Sequence, residues 1–157
     1  MRFLFVDEIL EMEPGRRIRA SKFISPDEDY FHDHFPGFPV VPGVLLTEMM
    51  AQTAGKCLDA EDAHRGKAML ARINVASFRD WVRPGQTAVI VGEVRTSRSQ
   101  FATANCHIEV ETRTVCSAEL LFSFVVMENF APGYRDEVLA RFKASQGPGA
   151  SGRVRTP

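Results

Sequence analysis

His32-Asp33-His34-Phe35-Pro36-Gly37-Phe38-Pro39-Val40-Val41-Pro42-Gly43-Val44-Leu45-Leu46-Thr47-Glu48-Met49-Met50-Ala51-Gln52-Thr53-Ala54-Gly55 is the stretch that decides the fold. Its first half predicts a stiff, irregular loop. Pro36, Pro39 and Pro42 fix φ and restrict the residue before each of them, while Gly37 and Gly43 reach conformations closed to other residues. From Pro42 the pattern changes. Val44, Leu45, Leu46, Met49, Met50, Ala51, Ala54, Cys57 and Leu58 cover most of a helical circumference, which predicts a buried helix over Val44 to Leu58. Its polar exceptions, Glu48, Gln52 and Lys56, recur every fourth residue and share one narrow row.

These residue types carry chemistry. An unpaired carboxylate in an apolar helix is costly, so Glu48 is expected to be buried, with a raised pKa suited to a general acid. Gln52, one turn on, orients it by a hydrogen bond. His34 supplies a base. Pro42 and Gly43 fall where the leading N–H groups of the helix lack partners, and with the helix dipole they form a site for a developing oxyanion. Base, acid and oxyanion donor together suit proton abstraction beside a carbonyl followed by loss of an oxygen leaving group.

Outward from this stretch the chain alternates like a sheet. Phe5 to Met12 and Arg16 to Ile24 read as strands joined by the Glu13-Pro14-Gly15 turn, and Asp27 to Phe31 as a helical turn. Further strands are expected at Ala68 to Phe78, Thr87 to Thr96, Phe101 to Glu111 and Thr114 to Met127, with a polar linker around 60–66 before the first of them. One helix among six strands is an α+β pattern. Beyond residue 128, Tyr134, Val138, Leu139 and Phe142 recur at helical spacing, predicting a short amphipathic helix over Arg135 to Ala144 that either packs on the body or a neighbouring subunit or frays at the surface. From Gln146 the Gly/Pro/Ser-rich tail reads as disordered.

Composition narrows the function. A chain of 157 residues that is 45% hydrophobic suffices for one core. A net charge of −1 leaves no nucleic-acid footprint. Arg65, Lys67, Arg72, Arg79 and Arg83 form either a local basic patch or scattered solvated charges. Three cysteines without paired spacing fit a reducing cytoplasm, and no stretch approaches the ~20 apolar residues of a membrane span. No GxGxxG, P-loop or GxSxG motif occurs. His32-x-His34 lacks a third ligand for a metal, so neither metal nor cofactor is expected.

The runs His34-Phe35-Pro36-Gly37, Pro39-Val40, Pro42-Gly43-Val44-Leu45, Glu48 and Ala51-Gln52 with Gly55 resemble the signature of the FabZ-type 3-hydroxyacyl-[acyl carrier protein] dehydratases. Phe3 to Asp7 with Pro14-Gly15 upstream, and Ala71, Ile73, Ala76, Phe78-Arg79, Val82 and Pro84-Gly85 downstream, extend the likeness over roughly residues 2 to 127. It implies a hotdog fold, an antiparallel sheet wrapped around the central helix, in residues 1–128, with 129–157 as an extension. It implies His34 as base at C2, Glu48 as acid at the C3 hydroxyl, Gly43 N–H on the thioester oxygen, and Gln52, Phe35 and Gly37 in support. It implies acyl carrier protein as partner and a homodimer whose sites are shared between subunits, alone or as a trimer of dimers. FabA-type relatives that also isomerise the product have aspartate where Glu48 stands, so glutamate argues for dehydration alone.

Departures from the family pattern are Asp33 in place of glycine before the histidine, Ser77 and Asp80 beside the Phe-Arg pair, and Trp81 where proline is common. Asp33 is expected to favour the imidazolium of His34 if its carboxylate points at the ring. Two other functions compete: a hotdog thioesterase activating water at Glu48, opposed by the complete loop around His34, and a non-catalytic acyl-binding subunit, opposed by retention of both His34 and Glu48.

Overall fold

The computed structural model describes residues 2–61, 65–126, 128, 131 and 133–147. Strands β1 (Glu8–Glu13), β2 (Arg17–Phe23), β3 (Lys67–Phe78), β4 (Thr87–Ser97), β5 (Phe101–Val110) and β6 (Arg113–Val125) form one antiparallel sheet in the order β1-β2-β4-β5-β6-β3. Helix α1 (Gly43–Glu61) packs against β2 to β6, and α2 (Glu137–Ser145) against β1. This is the hotdog arrangement, a sheet wrapped on one central helix.

Helix and sheet approach closely because the facing residues are small. Ala51 and Ala54 of α1 and Ala88, Ala102 and Ala104 of the sheet are all buried. At Gly92 an added Cβ would stand 3.6 Å from the Ala54 Cα and 3.2 Å from Ile18 Cγ2, so a larger residue would push the helix outward. In β5 every second residue, Ala102, Ala104, Cys106, Ile108 and Val110, points inward. A second apolar cluster joins Val6, Ile9, Ile18 and Cys57 to Val138 and Leu139, which seats α2 on the body of the same chain.

Five strands lie within two residues of their expected bounds, but β1 begins at Glu8 rather than Phe5. The preceding residues run beside α1 instead, where the Phe5 N–H finds a side-chain acceptor rather than a strand partner. The central helix is longer than its apolar pattern, Gly43–Glu61, because its polar last turn is held by side-chain bonds at Asp59 and Glu61. The short turn near residue 30 is a 3-10 helix over Asp29–His32. Of the basic residues that left two readings open, Arg65 pairs with Glu61, Lys67 with Asp59, and Arg79 donates to Ser117. Met127 and the tail beyond Gly147 lie outside the described residues. Among the described residues no helix is long and apolar enough to cross a membrane.

Cys57, Cys106 and Cys116 are free and buried. Burial pushes the thiols up, to about 11 for Cys57 and about 12 for Cys106 and Cys116. All three are therefore expected to resist iodoacetamide at pH 8 in the native protein and to react once it is denatured. Mass spectrometry counts the adducts, and rapid native labelling of any of them would show its burial to be transient.

Candidate active site

The loop that carries His34 is closed on itself. The His34 N–H donates to the Tyr30 carbonyl at 2.9 Å, and the His34 carbonyl accepts from Val40 N–H at 3.0 Å. Between them Phe35 and Phe38 exchange both backbone hydrogen bonds, with Gly37 at φ +77 completing the turn. Phe38 is braced from outside by the Trp81 ring, edge-on at 6.0 Å, and by the Arg83 guanidinium over its face at 4.8 Å. Nothing in the one-dimensional pattern singled out that trio. It gives Trp81 a packing role.

Two contacts orient the imidazole. Nδ1 lies 2.9 Å from the Val40 carbonyl, and a carbonyl only accepts, so the ring proton belongs on Nδ1 and the Nε2 lone pair is free. Phe35 stacks on the ring at 4.0 Å and 27°. His34 is half-buried, so its ring remains partly reachable. Asp33 is exposed, and its carboxylate forms no hydrogen bond or ion pair among the described residues. Its backbone instead caps the 3-10 turn. Among the described residues no three His, Cys, Asp or Glu side chains gather as a metal site.

Glu48 is half-buried rather than buried, which corrects the expectation of a fully desolvated carboxylate. One side of it faces an open cavity of about 670 Å³ that also borders Ala51, Gln52 and Gly55. Its partner is Gln52, whose Nε2 donates to Glu48 Oε1 at 2.9 Å. The amide orientation is not free, because Gln52 Oε1 accepts the Phe5 N–H at 3.0 Å while Nε2 also approaches the Phe3 carbonyl at 3.4 Å. With Oε1 of Glu48 occupied by an N–H donor, a proton on this carboxyl belongs on Oε2. The clamp by Phe3 and Phe5 uses backbone atoms, so residue identities carried no signal of it. Lys56, in the same helical row, is paired not with Glu48 but with Asp136, 2.5 Å away.

Gly43 opens α1, and its N–H is one of the leading donors that a helix leaves without an intrahelical acceptor. The space freed by the missing Cβ is taken by the Phe78 ring, whose Cζ would lie 3.1 Å from a Cβ placed there. Phe78 is thus a site neighbour that spacing alone did not reveal. His34 does not line the cavity that Glu48 borders. The two side chains flank different parts of the single chain.

Residues 1–119 match the model of the FabA-like domain. The chain belongs to the FabA-like family, FabZ type. A 3-hydroxyacyl-[acyl-carrier-protein] dehydratase FabZ of Listeria welshimeri is 36% identical over 122 residues, covering 77% of this chain and 85% of the relative. Its counterpart from Chloroflexus aggregans is 40% identical over the same length and shares. A Streptococcus mutans protein solved bound to acetyl CoA superposes with a TM-score of 0.63 at 11% identity, over 81% of this chain and 94% of that one, which shows the shared fold. His34, Gly43, Glu48 and Gln52 all fall inside the FabA-like match, whereas Tyr134 to Ser145 lie beyond it.

Proposed function

We propose that this FabZ-type protein is a hydro-lyase that converts a (3R)-3-hydroxyacyl thioester, carried on acyl carrier protein, to the trans-2-enoyl thioester in fatty-acid or specialised lipid synthesis. Nε2 of His34 takes a proton from C2. The electron pair passes toward the thioester carbonyl, whose oxygen gains negative charge against the Gly43 N–H and the positive end of α1. Collapse of that charge forms the C2–C3 double bond and breaks the C3–O bond, while Oε2 of Glu48 gives its proton to the departing hydroxyl. Water leaves, and proton transfer from the imidazolium resets the pair. The observation that carries the reading is the orientation of both groups before substrate arrives: Nδ1 held by Val40, Oε1 held by Gln52.

We infer that the working unit is a homodimer, alone or within a trimer of dimers. Among the described residues strand β3 has β6 as its one neighbour, and its Met69, Leu70, Ile73 and Val75 are each between 37% and 50% exposed. An apolar unpaired edge favours continuation of the sheet into a second copy. A site shared across such a pairing, with His34 of the partner subunit beside Glu48, is what the family resemblance implies. Buried reduced thiols and a substrate carried on acyl carrier protein fit a cytoplasmic enzyme.

The test is incubation with 3-hydroxyacyl thioesters on carrier protein and on coenzyme A, following enoyl absorbance and free thiol together. Enoyl product without thiol is expected. Thiol without enoyl would make the protein a thioesterase, and neither product would make it an acyl-binding subunit.

A further inference from the structure

The cavity at Glu48 does not end within the family domain. It follows one face of α1 from Glu48 past Gln52 and Gly55 to Lys56, and its far end is built from Tyr134, Arg135 and Asp136. Eight residues of helix separate Glu48 from Lys56, about 12 Å of rise. Phe3, Leu4, Met69, Leu70 and Phe122 line it with apolar side chains, alongside the charged Arg2 and Glu137. Lys56 and Asp136 form an ion pair whose side chains are 6% and 9% exposed, and Lys67, itself paired with Asp59, holds its ammonium 5.7 Å above the Tyr134 ring.

We propose that the C-terminal extension closes the acyl cavity, with Tyr134 and the Lys56–Asp136 pair as an end wall that sets the longest chain the enzyme accepts. This rests on the dehydratase reading above. With C3 at Glu48, each methylene of an extended chain advances about 1.3 Å, the projection of a carbon–carbon bond of about 1.5 Å. About nine further carbons reach the wall, so a 3-hydroxydodecanoyl chain fills the cavity and a longer one meets charge. A methyl terminus pressed against the pair strips its remaining water and offers no hydrogen bond in return, which is costly for buried ions. The wall is rigidly placed: Asp136 also caps α2 by accepting the Leu139 N–H at 3.0 Å, and Val138 and Leu139 are buried against Val6, Ile9 and Ile18. Because Tyr134 and Asp136 follow the FabA-like match, the part of the wall they supply comes from outside the family domain.

Two variants test the wall. Tyr134→Ala removes a half-exposed ring, and Lys56→Met with Asp136→Leu replaces the pair by apolar side chains of similar size. For each, kcat/KM is measured on 3-hydroxyoctanoyl and 3-hydroxytetradecanoyl thioesters, and affinity for octyl and tetradecyl coenzyme A thioethers by calorimetry. The preference for the longer chain is expected to rise about tenfold, the scale on which a pocket discriminates by methylenes. Unchanged preference in either folded variant, in turnover and in affinity, overturns the proposal. Should the double variant not fold, Tyr134→Ala decides alone. A shift in thioether affinity without any enoyl formation upholds the wall while refuting the dehydratase reading. Enoyl formation with unmoved preference does the reverse.

Discussion

His34→Ala and Glu48→Gln are each expected to lower dehydration by about 10²- to 10⁴-fold, the contribution of one positioned base or acid, with melting temperature close to wild type. His34 projects from a loop whose backbone bonds survive truncation of the ring, and glutamine at position 48 keeps the shape of the carboxyl. Mixing the two inactive proteins separates a shared site from a self-contained one. If base and acid come from different subunits of a two-fold dimer, half of the exchanged dimers are mixed and each carries one intact site, so activity returns to about a quarter of wild type. Mass spectrometry of isotopically labelled subunits establishes that exchange has occurred. Exchange without recovery would place both groups of each site in one chain, and near-normal turnover of either variant would remove that residue from the chemistry.

Lys56→Ala is expected to cost about 3–5 kcal/mol, because it leaves the Asp136 carboxylate buried without its counter-ion, and to lower Tm by roughly 10 °C for a chain of this size. Replacing both partners by apolar residues should recover most of the loss. Protonation provides an independent handle. Burial alone pushes the Asp136 carboxyl up, but the Leu139 N–H and the Lys56 ammonium outweigh it and hold the group below its ordinary 3.8. A folded value below the unfolded one adds stability that is complete above about pH 4 and is lost as pH falls through the lowered value. In Lys56→Ala the favourable pairing is already gone. The Tm gap between wild type and variant should therefore narrow as pH drops below about 4, and a gap independent of pH would mean that packing rather than charge holds α2.

Much of this protein was legible in one dimension because the signals are local. Period-two alternation placed the strands, the apolar run after Pro42 placed α1, and the Pro/Gly spacing around His34 marked a rigid loop that meets the helix carrying Glu48, Gln52 and Gly43. The helical spacing of Val138, Leu139 and Phe142 likewise marked α2. Where the reading failed, the deciding partner was distant or was backbone. The N-terminal residues leave the sheet because Phe5 N–H meets Gln52, 47 positions away, and the partner of Lys56, which helical spacing did not name, is Asp136, 80 positions away. Glu48 is half-exposed since packing, not helical periodicity, determines which face of α1 the sheet covers. Phe78 lies on Gly43 only because β3 and the start of α1 converge, a contact no spacing encodes. Side-chain type and period thus determined the elements and the chemical groups by themselves, acting over a few residues. The tertiary structure alone decided which groups meet, because burial and hydrogen-bond satisfaction are settled by neighbours in space rather than along the chain.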